Sequence, residues 1–192
     1  MTANSNQSVP NHTTFLIIPG LGGSGQTHWQ SLWHKEAEHS VRLVQDNWDE
    51  PDRDNWIAKL NDTLIHLDGF ILLIAHSLGV ALVAHWASHY QNNNVKGAFL
   101  VAPADVDSPQ YTPDAVRSFA PMPVAKLPFP SIVVASEDDP YVSIERAASF
   151  ASQWGSDFTG IGAKGHINAG SNLGDWQQGK TLLRQWQEKI IR

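Results

Sequence analysis

The chain has 192 residues, a net charge of −6 and no cysteine. This length fits one domain, and the absence of cysteine excludes disulfides, thiolate metal sites and a cysteine nucleophile. The acidic balance and the scattered lysines and arginines argue against a nucleic-acid partner. The polar N-terminus shows no signal-peptide or membrane-span pattern. We therefore expect a cytoplasmic protein without a membrane partner, with a disordered lead-in over residues 1–12 and a single domain over residues 13–192.

Short apolar runs alternate along the chain with amphipathic stretches. The runs predict strands at 14–19, 41–45, 69–75, 95–102 and 131–136, with a weaker sixth at 157–161. The amphipathic stretches, with apolar residues three and four apart, predict helices at 27–38, 53–67, 78–90, 143–154 and 175–191. This alternation predicts an α/β fold with a mostly parallel sheet of five to six strands and helices on both faces. A functional site is then expected beyond the carboxyl ends of the strands.

The first candidate site residue is Ser77, between the third predicted strand and the helix that follows it. A nucleophile at such a junction projects from a tight turn, which requires small residues two positions before and two after. Ala75 and Gly79 satisfy that requirement. The N–H of Leu78 opens the helix and faces the place where negative charge would develop on a substrate. Taken alone, the short pattern also fits a plain structural serine.

A glycine-rich loop, Pro-Gly-Leu-Gly-Gly-Ser-Gly, follows the first predicted strand at residues 19–25. A phosphate-binding loop would have a lysine after its last glycine or an acidic residue suitably placed after the second strand, and neither is present. The other interpretation is a backbone that approaches the substrate closely, with the N–H of Leu21 as the second donor of an oxyanion hole. A flexible turn is the structural alternative.

Two further candidates follow the last predicted strands. Asp138 and Asp139 stand side by side, and Pro140 restrains the chain just after Asp139. That favours Asp139 as the acid that orients a histidine, while Asp138 can cap the turn. His166 lies in a glycine-flanked loop. Ser77, Asp139 and His166 occur in the chain order of α/β-hydrolases, which differs from the orders of the chymotrypsin and subtilisin types.

Three other histidines are weaker candidates. His76 is too close to Ser77 in sequence to act as its base, and we expect it to pack beside the pocket as a substrate-binding residue. His85 and His89 have a spacing that can bind a metal on a helix, but no glutamate follows His85 as in the zinc-hydrolase motif. No metal is therefore expected.

The segment 103–130 is 28 residues long and contains seven prolines. It is too short for a helical cap domain and too rich in proline for long helices. We expect an open site covered by this loop, with Phe119, Met122 and Phe129 lining it. Such a site would suit short-chain acyl groups better than long lipids.

The motifs together carry a specific resemblance. The sequence PGLGGSG followed by HWQSLW, the segment from Trp48 to Trp56, and the motifs AHSLG, ASEDDPYV and GHIN spread over residues 15–185. They resemble the retinoblastoma-binding protein nine family of small serine hydrolases, which belongs to the α/β-hydrolase superfamily. Some relatives bind a pocket protein through a Leu-x-Cys-x-Glu motif, and the absence of cysteine excludes that interaction here.

The resemblance implies the α/β-hydrolase fold, hydrolysis of small acyl esters through an acyl-enzyme, and no cofactor. It implies the triad Ser77, Asp139 and His166, with Leu21 and Leu78 as oxyanion donors. The partner expected is thus a small-molecule acyl substrate. The sequence carries no indication of an oligomeric state.

Other functions remain open because they share this fold and triad. Thioesterase, aminopeptidase and acyltransferase chemistry are alternatives, and a peptidase would need an acidic pocket for the free amine. Glu50, Asp52 and Asp54 could supply such a pocket or form a solvated turn. A protein-binding module without catalysis is a further alternative, which a missing triad residue would support, and none is missing.

Overall fold

The computed structural model describes residues 12–190, so the predicted N-terminal lead-in lies, apart from residue 12, outside the described residues. Six strands form one sheet in the order β2-β1-β3-β4-β5-β6, and every neighbouring pair is parallel. The strands are β1 (Thr13–Ile18), β2 (Ser40–Arg42), β3 (Phe70–His76), β4 (Val95–Val101), β5 (Ser131–Ala135) and β6 (Asp157–Gly160). The prediction of a parallel sheet is confirmed, including its weak sixth strand.

Five α-helices accompany the sheet. They are α1 (Trp29–Glu36), α2 (Arg53–Ile65), α3 (Leu78–His89), α4 (Ile144–Trp154) and α5 (Gln177–Ile190). Local caps set several of their ends: the Asp52 carboxylate accepts the Asn55 N–H at 2.8 Å to begin α2, and Gly155 ends α4 at a φ of 68°. Within residues 12–190, no helix has both the length and the apolar character needed to cross a bilayer.

The sheet separates two apolar layers, because alternate side chains of a strand point to opposite faces. In β3, Leu73 and Ala75 belong to the layer formed with α2, α3 and α4. Their neighbours Leu72 and Ile74 belong to the layer formed with α1 and α5. Helices therefore cover both faces, as the alternating sequence pattern predicted.

The strand order reverses beside β1. The chain leaves β1 for β2 on one side and returns to β3 on the other, which opens a crevice at the carboxyl ends of β1 and β3. There the glycine-rich loop lies directly on the turn after β3. A Cβ atom placed on Gly20 would lie 2.9 Å from Ser77 Cβ and 3.0 Å from Leu78 N, so this close approach requires glycine.

Gly79 makes the corresponding contact from the other side, and this contact can be tested. A Cβ on Gly79 would lie 2.5 Å from Ile18 O and 2.8 Å from Pro19 O, and backbone atoms cannot move aside as a flexible side chain can. We expect Gly79→Ala to lower the free energy of unfolding by about 1–3 kcal/mol, measured from urea denaturation midpoints.

Gly25→Ala is the matched control, because a Cβ on Gly25 meets no heavy atom within 4 Å. Its midpoint should stay at the wild-type value. A wild-type midpoint for Gly79→Ala would show that α3 does not rest on the end of β1 in this way.

Candidate active site

Ser77 stands at the sharp turn between β3 and α3. Its φ of 57° and ψ of −123° lie in a region that residues with a Cβ rarely adopt. The Ser77 N–H donates to Val101 O at 3.0 Å, which anchors the turn to β4. Ala75 is fully buried before the turn, and Gly79 abuts β1 after it. The turn thus holds the serine hydroxyl at the edge of a cavity.

Three side chains from three separate loops form a hydrogen-bonded chain. His166 Nε2 lies 2.8 Å from Ser77 Oγ, and His166 Nδ1 lies 2.9 Å from both carboxylate oxygens of Asp139. The side chains of Asp139 and His166 are 0% and 6% exposed. A buried carboxylate beside Nδ1 favours the tautomer with its proton there, which leaves Nε2 free to accept the serine proton. The structure therefore brings the three predicted residues together in a geometry suited to nucleophilic chemistry.

Tyr141 covers the histidine from the acid loop. The Tyr141 N–H donates to Asp139 Oδ1 at 2.9 Å, and its ring packs edge-on against His166 with a centroid separation of 4.5 Å. The Tyr141 carbonyl accepts the Asp105 N–H at 3.0 Å. Tyr141 thereby links the acid, the histidine and the beginning of the segment 103–130.

The second aspartate holds the loop that carries His166 and does not touch the imidazole. Asp138 Oδ1 accepts the Ser136 hydroxyl at 2.8 Å and the Gly165 N–H at 2.7 Å. Ser136 Oγ in turn accepts the Lys164 N–H at 2.8 Å. The hydrogen bonds from Ser136 and Gly165 lower the pKa of Asp138 from its ordinary value. Asp138 therefore clamps the two loops together.

The two predicted oxyanion donors come from two different elements that line the cavity beside the serine. Leu78 is the first residue of α3, and Leu21 begins a short 3-10 turn over Leu21–Gly23. A helix leaves the N–H groups of its first turn without a partner of its own. Both residues line the cavity beside Ser77, and no acceptor for either N–H is found within the described residues. Their backbone groups are thus available to a bound oxygen.

Two polar side chains beneath the glycine-rich loop hold it in place. Gln30 is fully buried, donates from Nε2 to carbonyl oxygens of β1 and β3 at 3.1 and 2.9 Å, and accepts the Ser24 hydroxyl at 2.7 Å. The Arg42 guanidinium donates to the carbonyls of Gly23 and Ser24. Burial lowers the pKa of Arg42. The loop is therefore preorganised by bonds that do not depend on a substrate.

The cavity above Ser77 has a volume of about 320 Å³. The glycine-rich loop, the turn at Ser77, the segment around Thr112 and Val116, and the residues after His166 form its walls. Within the described part of the chain, none of the lining residues is an aspartate, glutamate, lysine or arginine. The three acidic residues considered for an amine pocket, Glu50, Asp52 and Asp54, are not among them.

The prediction that Phe119, Met122 and Phe129 line the site is wrong. They are 0%, 3% and 9% exposed and belong to the apolar layer under the segment 103–130. Phe119 packs edge-on against Trp56 at 5.7 Å, and Phe129 stacks on Trp86 at 6.4 Å. Burying these large apolar side chains in the core is more favourable in free energy than leaving them exposed at a cavity wall.

The segment 103–130 forms no cap domain. Arg117 holds it together from within, and Arg146 ties it to α4. Arg117 donates to the Val106 carbonyl at 2.5 Å and to Thr112 Oγ1 at 3.1 Å. Arg146 of α4 pairs with Asp107 at 2.7 Å. Only the early part of the segment reaches the cavity, which makes it a fixed wall in this structure.

Two buried histidines, His76 and His28, line the same cavity. His76 Nε2 lies 2.9 Å from the His166 carbonyl, and burial followed by the proximity of His166 lowers the pKa of His76 well below its usual value. His28 caps α1 by accepting the Gln30 N–H on Nδ1 at 3.1 Å. Burial, His166 and Arg42 lower the pKa of His28 from 6.5 to about 4. Both rings are therefore neutral at pH 7.

His85 and His89, the pair considered for a metal, both make hydrogen bonds to backbone carbonyls. His85 Nε2 lies 2.7 Å from the Phe119 carbonyl, and His89 Nδ1 lies 2.8 Å from the His85 carbonyl. These ring nitrogens therefore serve hydrogen bonds within the protein.

Sequence reasoning missed His28, Gln30 and Tyr141. All three lie within motifs that it quoted, HWQSLW and ASEDDPYV. The signal available for two of them was that the polar residues His28 and Gln30 stand just after the glycine-rich loop, in a helix start whose other large residues are tryptophan and leucine. Their partners are carbonyl groups of distant strands and loops, which a linear pattern does not identify.

The Asp138 clamp predicts a pH-dependent stability. A depressed pKa means that the ionised carboxylate is favoured in the folded state, so its contribution is present above about pH 4 and is lost as the pH falls through the lowered pKa. We expect Asp138→Asn to lower the thermal midpoint at pH 7 by about 1–3 °C, with a difference that shrinks below pH 4. Calorimetry between pH 3 and 8 measures this.

Glu137→Gln is the control, because Glu137 is an exposed acid in the same turn. It removes the same charge without touching the hydrogen bonds to Gly165. Identical pH profiles for the two variants would contradict the clamp.

Comparison with known proteins places the chain among hydrolases. A family model described as serine hydrolase matches residues 15–185. A protein described as a YdeN-like hydrolase from Pectobacterium atrosepticum is 30% identical over 95% of this chain and 94% of its own, with a TM-score of 0.82. None of the curated proteins matches the chain.

More distant solved structures share the fold. The ydeN gene product from B. subtilis is 18% identical over 92% of this chain and 98% of its own, with a TM-score of 0.74. Est1E from Butyrivibrio proteoclasticus, solved with ferulic acid bound, is 14% identical over 94% and 88%, with a TM-score of 0.69. Together with the parallel sheet, these likenesses confirm the α/β-hydrolase fold.

Proposed function

Since the chain belongs to the serine hydrolase family, we propose that it cleaves small acyl esters with Ser77 as nucleophile, His166 as general base and Asp139 as the acid that orients the histidine. One observation carries this assignment. It is the continuous contact from Ser77 Oγ to His166 Nε2 at 2.8 Å and from His166 Nδ1 to the Asp139 carboxylate at 2.9 Å.

In the proposed reaction, His166 Nε2 takes the hydroxyl proton as Ser77 Oγ attacks the acyl carbon. The Asp139 carboxylate stabilises the imidazolium that forms and does not itself take up the proton. Collapse of the tetrahedral intermediate breaks the ester bond, and His166 returns the proton to the departing alcohol. Water then attacks the acyl-enzyme with His166 as its base, which releases the acid and restores Ser77.

The oxyanion of both tetrahedral intermediates is assigned to the N–H groups of Leu21 and Leu78. A Cβ atom on Gly20 would lie only 2.9–3.0 Å from atoms of the turn at Ser77, so the two backbone segments approach each other more closely than a side chain would permit. Each donor in such a site contributes about 3–4 kcal/mol to transition-state stabilisation. Leu78 adds the favourable dipole of the start of α3.

The cavity supports a small uncharged substrate. Its volume of about 320 Å³ fits a short acyl group together with an alcohol, and among the described residues its lining contains no aspartate, glutamate, lysine or arginine. Capture of a free amine would need a carboxylate at the wall, which disfavours an aminopeptidase. The carboxylate of Asp52 caps α2 at 2.8 Å, and Glu50 accepts from Asn47 at 3.3 Å, so these acids serve their own turn.

The first experiment tests the nucleophile and the base. We expect the wild-type protein to gain one fluorophosphonate adduct by intact mass, Ser77→Ala to gain none, and His166→Ala to react at least about 100-fold more slowly. Ser152→Ala, on the exposed side of α4, is the control and should label like the wild type. A folded wild type that gains no adduct would favour the binding module without catalysis.

The second experiment tests substrate class with p-nitrophenyl esters of increasing chain length and with leucine p-nitroanilide. We expect acetate and butyrate to exceed laurate in kcat/KM by about tenfold or more, because the cavity is small. Leucine p-nitroanilide should not be cleaved, since none of the described residues at the cavity wall is a carboxylate that could bind its ammonium group. Faster cleavage of the long-chain ester, or of the anilide, would overturn the small neutral ester as substrate.

The same panel separates the alternatives on the shared triad. A thioesterase would show a higher kcat/KM for the thioester of butyrate than for its oxygen ester, after each value is divided by the rate of uncatalysed hydrolysis of the same compound. An acyltransferase would partition the acyl group to an added alcohol in preference to water. A small ester remains our proposal because neither alternative is favoured by a particular contact in the cavity.

A further inference from the structure

His28 is a residue of the wall of the catalytic cavity, and its side chain carries a buried N–H group without an acceptor. Its Nδ1 accepts the Gln30 N–H at 3.1 Å, which places the ring proton on Nε2. Nε2 is buried and has no partner, although the residue is only 4% exposed. Native proteins seldom retain an unpaired buried donor without a use for it, because its lost hydration is uncompensated.

Among the described residues, three buried side-chain nitrogens lack a partner, those of His28, Trp176 and Trp186. His28 alone of the three belongs to the cavity wall. Neighbouring hydroxyls on that wall are already used: Ser24 donates to Gln30 at 2.7 Å, and Thr112 donates to the Asp105 carbonyl at 2.9 Å. Among these buried nitrogens, His28 Nε2 is therefore the one whose residue lines the cavity and whose hydrogen bond is still unmade.

The ring is fixed in place and lies close to the reacting groups. Its helix cap holds one nitrogen, while Trp29 and His76 flank the ring with centroid separations of 5.4 and 4.7 Å. His76 in turn lies 4.8 Å from His166. Burial keeps His28 neutral at pH 7, which suits it to pair with a neutral oxygen rather than with an anion.

We propose that His28 is a specificity-determining residue whose Nε2–H donates a hydrogen bond to a second oxygen of the substrate, apart from the scissile ester group. The substrate class is then a small uncharged ester with an ether, hydroxyl or carbonyl oxygen in its acyl or alcohol part. This inference rests on the proposed esterase function. An ester with the second oxygen gains a hydrogen bond from this donor, and the analogue that lacks the oxygen does not, so the pocket favours the oxygen-bearing ester.

Isosteric esters test the proposal, because a CH₂ group can be replaced by oxygen at constant length. The acyl series compares p-nitrophenyl methoxyacetate with p-nitrophenyl butyrate. The alcohol series compares the acetates of 2-methoxyethanol and butanol. The ratio of kcat/KM within each pair is measured for the wild type and for His28→Phe, and intrinsic reactivity cancels when the two ratios are divided.

The quotient is the preference of the wild type for the oxygen-bearing ester divided by the same preference of His28→Phe. We expect it to be about ten in one series and near one in the other, which would locate the second oxygen in the acyl or the alcohol part. A quotient near one in both series, with all esters hydrolysed, would overturn the role of His28. Failure of the wild type to hydrolyse any of the four esters would instead contradict the proposed function itself. The two failures are therefore distinguishable.

Two further variants serve as a second test of His28 and as a control. His28→Asn keeps a side-chain acceptor for the cap of α1 but ends short of the Nε2 position, so it should give the same quotient as His28→Phe and carries the test if the latter does not fold. His34→Phe changes a histidine on the same helix outside the cavity wall. It should give a quotient of one, and a tenfold quotient there would assign the effect to α1 as a whole.

Discussion

Contact between backbones at the ends of β1 and β3 is the constraint on which the site depends. Ile18 pairs with Ala75 in the register of the two strands, so the loop after one and the turn after the other leave the sheet together. Gly20 and Gly79 then interlock the segments, since a Cβ on either would come within about 3 Å of backbone atoms. Because side chains are excluded here, the backbones of Leu21 and Leu78 can both approach Ser77.

Asp139 and His166 follow β5 and β6, on the other side of β4 from Ser77, and hydrogen bonds join their two loops to each other. The Glu137 N–H donates to the Gly162 carbonyl at 3.1 Å, which ties the loop after β5 to the loop after β6, and Asp138 adds a second tie. A single bond from His76 to the His166 carbonyl then crosses to β3. Ser77 and His166 are therefore positioned by turns of one continuous sheet and by hydrogen bonds between the loops that carry them, in keeping with support of a site by its surrounding hydrogen bonds.

Local patterns predicted the sheet and the helices because apolar periodicity and strand length are properties of neighbouring residues. They also singled out Ser77 by its small flanking residues, Asp139 by the proline after it, and His166 by its glycine-flanked loop. Phe119 was misjudged because an apolar residue in a proline-rich segment fits either a cavity or a core, and distant Trp56 decides between them. His28 could not be assigned from sequence, because its significance lies in an acceptor that is missing from its surroundings.

The neutrality of the cavity has a consequence for the proposed reaction. Attack by Ser77 places a positive charge on His166, and a second charge on His76 or His28 would oppose it across less than 10 Å of poorly hydrated protein. Burial prevents that by disfavouring the charged forms of both rings. Three adjacent imidazoles thus differ through their partners: His166 contacts the Asp139 carboxylate, His76 donates to the His166 carbonyl, and His28 accepts the Gln30 N–H.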